Sequence, residues 1–128
     1  MPPVFLTLDE VLAIHSDQLA RYGGRPGIRD LALLESALAQ PSASFGGRML
    51  HADIFEMAAA YLFHIVQNHA FIDGNKRVGT AAAIIFLGLN EIVFNADETE
   101  LEAFVRDVAQ GLATKEEISA FLRKCSNS

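Results

Sequence analysis

Apolar positions recur at helical spacing along most of the chain, and short polar signals cut them into six segments. The first opens at Thr7-x-x-Glu10, a capping-box pattern in which two side chains satisfy each other's orphan amides. It carries Leu8, Val11, Leu12 and Leu19 on one side to about Tyr22, where Gly23-Gly24 stops it. After the loop Arg25-Pro26-Gly27, Asp30 caps a short second helix with Leu31, Leu34 and Leu38 on one face; Pro41 ends it. Asp53-x-x-Glu56 opens a third, through about Asn68, that is apolar nearly all round: Ile54, Phe55, Met57, Tyr61, Leu62, Phe63, Ile65 and Val66. Such a helix belongs in the middle of a bundle. His69 to Gly74 interrupts, and a fourth helix follows from about Asn75 to Leu89. Its Gly79, Ala81, Ala82, Ala83 and Gly88 permit close helix–helix approach. Asp97-x-x-Glu100 opens a fifth, to Gln110, with Leu101, Phe104, Val105 and Val108 facing in. Thr114-x-x-Glu117 opens the last, with Ile118, Phe121 and Leu122.

Two stretches break the helical period. Ser42 to Ala52 holds serines, Gly46-Gly47 and the scattered Phe45, Met49 and Leu50, and reads as a loop or short hairpin of the kind that forms a flap. Ile92-Val93-Phe94 is a short extended piece. There is no internal repeat, low-complexity tract or linker. The expectation is a single all-α domain over residues 1–128. It is a compact six-helix bundle with a short flap or hairpin, and the 69–74 loop lies between two central buried helices.

Composition removes several classes. At 128 residues and 51% hydrophobic, the chain suits one globular domain and is too apolar for disorder. Cys125 is its one cysteine, so neither an intramolecular disulfide nor a cysteine-based zinc site is expected, and a reducing, cytoplasmic setting is the simplest reading. Met1 to Glu10 lacks the basic start of a signal peptide. The longest uncharged stretches, Met57–Ile72 and Val78–Asn90, fall short of the roughly 20 apolar residues of a membrane helix. A net charge of −6 argues against general nucleic-acid binding. The charge is uneven, however. Residues 1–56 hold 4 basic and 7 acidic side chains and residues 91–128 hold 4 and 8, whereas residues 57–90 hold Lys76 and Arg77 against Asp73. A basic pair in the most apolar third points to a specific anion site.

That pair ends the run His69-Ala70-Phe71-Ile72-Asp73-Gly74-Asn75-Lys76-Arg77. A Gly-containing turn running into a helix start exposes free amides and the positive end of the helix dipole, which suits an anion. Lys76 and Arg77 on the first turn cost the helix a few tenths of a kcal/mol or more, a cost that makes sense if an anion sits there. Asp73 offers a hard oxygen for Mg²⁺, with N-capping as the plainer role. His69 is the nearby side chain suited to take a proton from a hydroxyl. Phe71 reads as an apolar anchor holding the loop to the core. The spacing is not that of a Walker A loop.

The run resembles the signature of the Fic/Doc family, His-x-Phe-x-Asp/Glu-Gly/Ala-Asn, and its Lys76-Arg77 tail resembles the Doc (death-on-curing) toxin branch. Arg21-Tyr22-Gly23-Gly24, Gly27-Ile28-Arg29-Asp30, Leu33 to Leu38 and Phe45-Gly46-Gly47 are similar to that branch as well, so the resemblance covers nearly the whole chain. It implies a compact all-α bundle and a bacterial toxin kinase that moves phosphate from ATP to a threonine of elongation factor Tu, stopping translation. By resemblance His69 is the base, Asp73 binds Mg²⁺, and the Gly74 and Asn75 backbone with Lys76 and Arg77 holds phosphates. AMP-transferring relatives usually carry glycine at the position of Lys76 and a second arginine at that of Thr80. Both departures favour phosphate transfer; the variable position before the aspartate, Ile72, decides little. The resemblance also implies a small antitoxin that inserts a helix into a groove, acting in trans, because no inhibitory Ser/Thr-x-x-x-Glu helix is evident beside the loop. The Ser42–Ala52 segment resembles the flap that aligns the target's backbone. AMP transfer to a protein hydroxyl and a non-enzymatic nucleotide- or protein-binding module remain the alternatives.

Outside the run the readings are plainer. His64, on an apolar helix, reads as a core histidine and not as a zinc ligand with His69 and Asp73. His15 and His51 have no partner discernible from sequence. Arg25 and Arg29 suit contacts with the target or antitoxin and structural loop roles equally. Cys125 is incidental, and the acidic Asp97–Asp107 face is solvated.

Overall fold

The computed structural model describes residues 2–127, and all residues below lie in that range. Five helices start on a side chain that accepts a hydrogen bond from the amide three residues on. Thr7 opens α1 (Leu8–Tyr22), Asp30 opens α2 (Leu31–Ala39) and Asp53 opens α3 (Ile54–Asn68). Asp97 opens α5 (Glu98–Ala109) and Thr114 opens α6 (Lys115–Lys124). Between α3 and α5 lies α4 (Asn75–Leu89), which starts on Gly74 with no side-chain cap. The six helices and their order agree with the all-α expectation.

The capping boxes differ in detail. Those of Thr7 with Glu10 and Thr114 with Glu117 are reciprocal. The other two are one-way. The Glu56 carboxylate accepts from the Ala52 amide at 3.4 Å, and the Glu100 carboxylate pairs with Lys124 at 3.0 Å. A partner one residue away, or from another helix, has replaced the local one.

The apolar helix α3 lies at the centre, packed by α2, α4, α5 and α6. Its Ala58, Ala59, Tyr61, Ile65 and Val66 are buried, and α4 meets it through buried Val78, Ala82, Ala83 and Phe86. The approach is closest at Gly79, where a Cβ would stand 2.8 Å from the Val66 Cγ2 and 3.3 Å from the Leu62 carbonyl. Gly88, by contrast, faces open space. On α2 the buried face is Leu34 with Ala37, and Leu31 turns outward at 47% exposure. Leu31 sits on the first turn, where the helix emerges from its loop. The N-terminal segment is pinned across the bundle: the Leu6 amide donates to the Tyr61 hydroxyl at 2.8 Å, and Asn90 exchanges two bonds with the Val4 backbone.

The Ser42–Ala52 segment is a hairpin. β1 (Ser44–Phe45) pairs antiparallel with β2 (Arg48–Met49) across Gly46-Gly47. Both glycines have positive φ, 59° and 80°, as a tight two-residue hairpin turn requires. Its apolar side chains point to solvent; Phe45 is 81% exposed. A second small pair, β3 (Val93–Phe94) with β4 (Ser126–Asn127), ties the chain after α4 to the segment after α6. No helix among the described residues is long and apolar enough to cross a membrane.

Candidate active site

The site is the junction between the end of α3 and the start of α4. His69, the residue after α3, takes the left-handed conformation with φ 48°. That costs a residue with a side chain about 1–2 kcal/mol, so the surroundings must hold it. The segment 27–30 does so. The amides of Arg29 and Asp30 donate to the Ala70 carbonyl at 2.7 and 3.0 Å, and the Ile72 amide donates to the Gly27 carbonyl at 3.1 Å. Ile28 and Phe71 face each other as a single antiparallel bridge. The Arg29 guanidinium completes the clamp: Nε donates to the His69 carbonyl at 2.7 Å and Nη2 to the Asn68 carbonyl at 3.2 Å.

Phe71 is 1% exposed. Its ring stacks on His15 from α1, with centroids 3.9 Å apart and planes 14° from parallel. The buried His15 also reaches the Asp73 carbonyl with Nε2 at 2.9 Å. A carbonyl only accepts, so that nitrogen carries the proton. Asn75 supports the same residue from the other side. Its Oδ1 accepts from the Phe71 amide and its Nδ2 donates to the Phe71 carbonyl, each at 3.0 Å. The Asn75 side chain therefore shapes the loop, leaving its backbone for the helix start.

Asp73 lies one residue before the start of α4. Its Oδ2 accepts from the Arg25 amide at 3.1 Å and its Oδ1 from the Gly74 amide at 2.9 Å. These two bonds, with the charges of Arg77 and Arg25, hold its carboxyl below the usual carboxylate range. Gly24 packs against this group: a Cβ there would lie 3.0 Å from the Asp73 Oδ2 and 3.1 Å from the Arg77 Nη2. Arg77 does not simply project into solvent. Its Nη1 donates to the Gly23 carbonyl at 2.9 Å and more weakly to the Gln18 carbonyl at 3.4 Å, and its guanidinium lies over the Tyr22 ring. It thereby neutralises the negative end of α1 while its charge stays at the start of α4. Lys76 is exposed, with no ion pair among the described residues.

His69, Ile72, Asp73, Gly74, Asn75, Lys76, Arg77 and Ala109 line one open cleft of about 430 Å³. The sequence-predicted residues thus converge, save Phe71, which lies beneath the floor. The one helix without a side-chain cap aims its free amides at this cleft, where an anion is the natural partner. A volume of this size suits a small ligand. A hard cation such as Mg²⁺ takes one or two carboxylates, phosphate oxygens and waters. Asp73 fits that set, because it is ionised and its two oxygens keep lone pairs beyond those used by the amides. Sequence reasoning gave His15 no partner and read Gly24 only as part of the stop after α1, so it missed their place at the site; of the two roles it left open for Arg29, the structure shows the loop contact.

The remaining histidines lie elsewhere. His64 is half-buried, and its Nε2 accepts from the Lys115 Nζ at 3.2 Å. Burial first, then Lys115 and His51, pushes its pKa down to about 4. Among the described residues no group of three or more His, Cys, Asp or Glu side chains is arranged to hold a metal ion. A second open groove of about 480 Å³ runs between α1, α4 and α5. It is lined by Ala81, Ile84, Leu101 and Val105 and meets the first cleft at Lys76 and Arg77.

Fold and site together define an all-α protein with a histidine and an uncapped helix start on one cleft. The chain matches the model of the Fic/DOC family over residues 5–87. It is 38% identical over 93 residues to a protein named Toxin Doc from Mycolicibacterium smegmatis (strain ATCC 700084 / mc(2)155), covering 73% of this chain and 69% of that one. It is 33% identical over 109 residues to one named Protein kinase doc from Escherichia phage P1, covering 84% and 81%. The chain belongs to the Fic/Doc family.

Proposed function

We propose that this protein is a Doc-like toxin kinase that transfers the γ-phosphate of ATP to a threonine hydroxyl of elongation factor Tu and so arrests protein synthesis. The observation that carries the reading is the uncapped start of α4, with Lys76 on its first turn, sharing one cleft with His69. The names of the two relatives, a toxin and a protein kinase, support it.

In this reading the α4 amides and Lys76 bind the phosphates, and Arg77 adds its charge from below. His69 takes the proton from the target hydroxyl as its oxygen bonds to the γ-phosphorus. The bond from that phosphorus to the bridging oxygen breaks, and ADP leaves. Asp73 would hold Mg²⁺, which when bound neutralises charge on the phosphates. Positioning and charge neutralisation supply most of the catalysis in such transfers. Lys76 occupies the position where AMP-transferring relatives keep a glycine, which favours movement of the γ-phosphate over AMP. The hairpin β1–β2 offers its edge to the target backbone, and exposed Phe45 gives it an apolar contact. The groove between α1, α4 and α5 has the apolar lining that suits a helix from a small antitoxin acting in trans. The proposed target places the action in the bacterial cytoplasm.

The test is incubation of the purified protein with Mg²⁺, elongation factor Tu and ATP labelled at the α- or the γ-phosphate, with His69→Ala beside it. Label arriving only from the γ-position, and lost in the variant, is the expected outcome. Label from the α-position would establish AMP transfer instead. No label from either would remove the kinase reading for this target and leave a binding role.

A further inference from the structure

The two peptide planes that flank the Cα of His69 end in the carbonyls of Asn68 and His69, and one side chain holds both. Arg29 Nη2 donates to the first at 3.2 Å and Nε to the second at 2.7 Å. Fixing both planes fixes the φ and ψ of the residue between them, and hence the direction in which its Cβ leaves the backbone. The need is particular here, because His69 sits at φ 48°, where a side-chain-bearing residue relaxes unless held. The backbone bonds from residues 27–30 grip residues 70 and 72 but not the planes on either side of the His69 Cα.

We propose that Arg29 is a positioning residue that locks the His69 imidazole in the orientation needed for proton transfer; this rests on the kinase reading. A planar guanidinium presents two donors in a fixed fork and reaches two successive carbonyls at once. A lysine ammonium is a point charge on a flexible stem and reproduces the charge without the fork. Arg29 is exposed, so its replacement removes the clamp without opening the core. The carbonyls it leaves behind are accessible to water, so the fold survives while the geometry of His69 relaxes.

The experiment compares wild type, Arg29→Lys and Arg29→Gln in the full chain, with two readouts. The first is steady-state transfer. Misplacing a reacting group by about an ångström costs on the order of a hundredfold in rate, so kcat falls about ten- to a hundredfold in Arg29→Gln. Arg29→Lys falls between, and the KM for ATP stays within about twofold. The second readout is the backbone and imidazole chemical shifts of His69 in isotopically labelled protein without nucleotide; they move toward averaged values in both variants. An unchanged kcat overturns the proposal, as does a raised KM for ATP at constant kcat, which would make Arg29 a nucleotide-binding group. If wild type transfers nothing, the kinase reading fails by itself, and the shifts decide the clamp alone: unmoved shifts in Arg29→Gln refute it, moved shifts sustain it.

Discussion

Asn75 is the residue whose replacement tests most directly how the loop is built. Ile28 and Phe71 form a bridge whose bonds run through their neighbours, from the Arg29 amide to the Ala70 carbonyl and from the Ile72 amide to the Gly27 carbonyl. This is the non-hydrogen-bonded kind of antiparallel pair, in which the facing residues turn their own N–H and C=O away from each other. The Phe71 amide and carbonyl therefore need a partner on the far side, and the Asn75 carboxamide supplies both at 3.0 Å. Asn75→Ala removes two bonds worth about 0.5–1.5 kcal/mol each and strands two backbone groups of a nearly buried residue, at about 1–3 kcal/mol apiece where water cannot reach. With partial access by water, the expected loss is about 2–4 kcal/mol. Asn75→Asp keeps the acceptor and loses the donor, setting a carboxylate against the Phe71 carbonyl at about 1–3 kcal/mol. The helix dipole returns about 0.3–1 kcal/mol of that. The order of stability is thus wild type, Asp, Ala. Urea unfolding followed by far-ultraviolet circular dichroism reads it, and at an m-value of about 2 kcal/mol/M the Ala midpoint falls by about 1–2 M. A loss under about 0.5 kcal/mol in Asn75→Ala, or an Asp variant less stable than Ala, would refute the reasoning.

Three further outcomes follow from the same geometry. Gly79→Ala and Gly88→Ala exchange the same atoms on one helix with opposite results. The first drives a Cβ to 2.8 Å from Val66 and destabilises by about 1–2 kcal/mol, whereas the second meets nothing and gains about 0.5–1 kcal/mol of helix propensity. Equal shifts in thermal midpoint for both would contradict the packing. Gly24→Ala places a side chain at φ 126°, in contact distance of the Asp73 carboxylate and Arg77, and is expected to lower transfer activity together with about 1–3 kcal/mol of stability. Wild-type activity and stability in that variant would show that the close approach is dispensable. His64, with a folded pKa near 4 against 6.5 for a free histidine, binds its proton more readily in the unfolded chain between those values. Its contribution to stability is therefore complete above about pH 6.5 and is lost as the pH falls toward about 4. The urea midpoint measured across that range shows a slope that flattens in His64→Gln, and an unaltered slope would rule His64 out as its source.

The limits of the sequence lie where contacts become long-range. Helix starts are local events, so Thr7, Asp30, Asp53, Asp97 and Thr114 announce theirs; at α4 the sequence offers Asp73 as a cap, whereas the helix starts on Gly74 with no side-chain cap. The near-continuous apolar surface of α3 marked the centre of the bundle for the same reason. What holds the site is of another kind. Arg29 reaches the His69 carbonyl across 40 positions, and His15 reaches Asp73 across 58. No periodicity links them, and each becomes a neighbour only once α1 and the 23–30 loop fold back over the α3–α4 junction. Arg77 shows how the two levels divide. Its place on the first turn of α4 signals positive charge beside the uncapped helix start. Only the fold shows that the same guanidinium donates to the carbonyls of Gly23, just past α1, and of Gln18 within it. Besides the cations on the uncapped first turn of α4, the junction breaks a local rule with a histidine where a glycine would normally end the helix. A glycine there would relieve the backbone but remove the base of the proposed reaction, so in that reading the strain at His69 is the cost of placing an imidazole on the cleft that the α4 start lines, and the long-range clamps offset it.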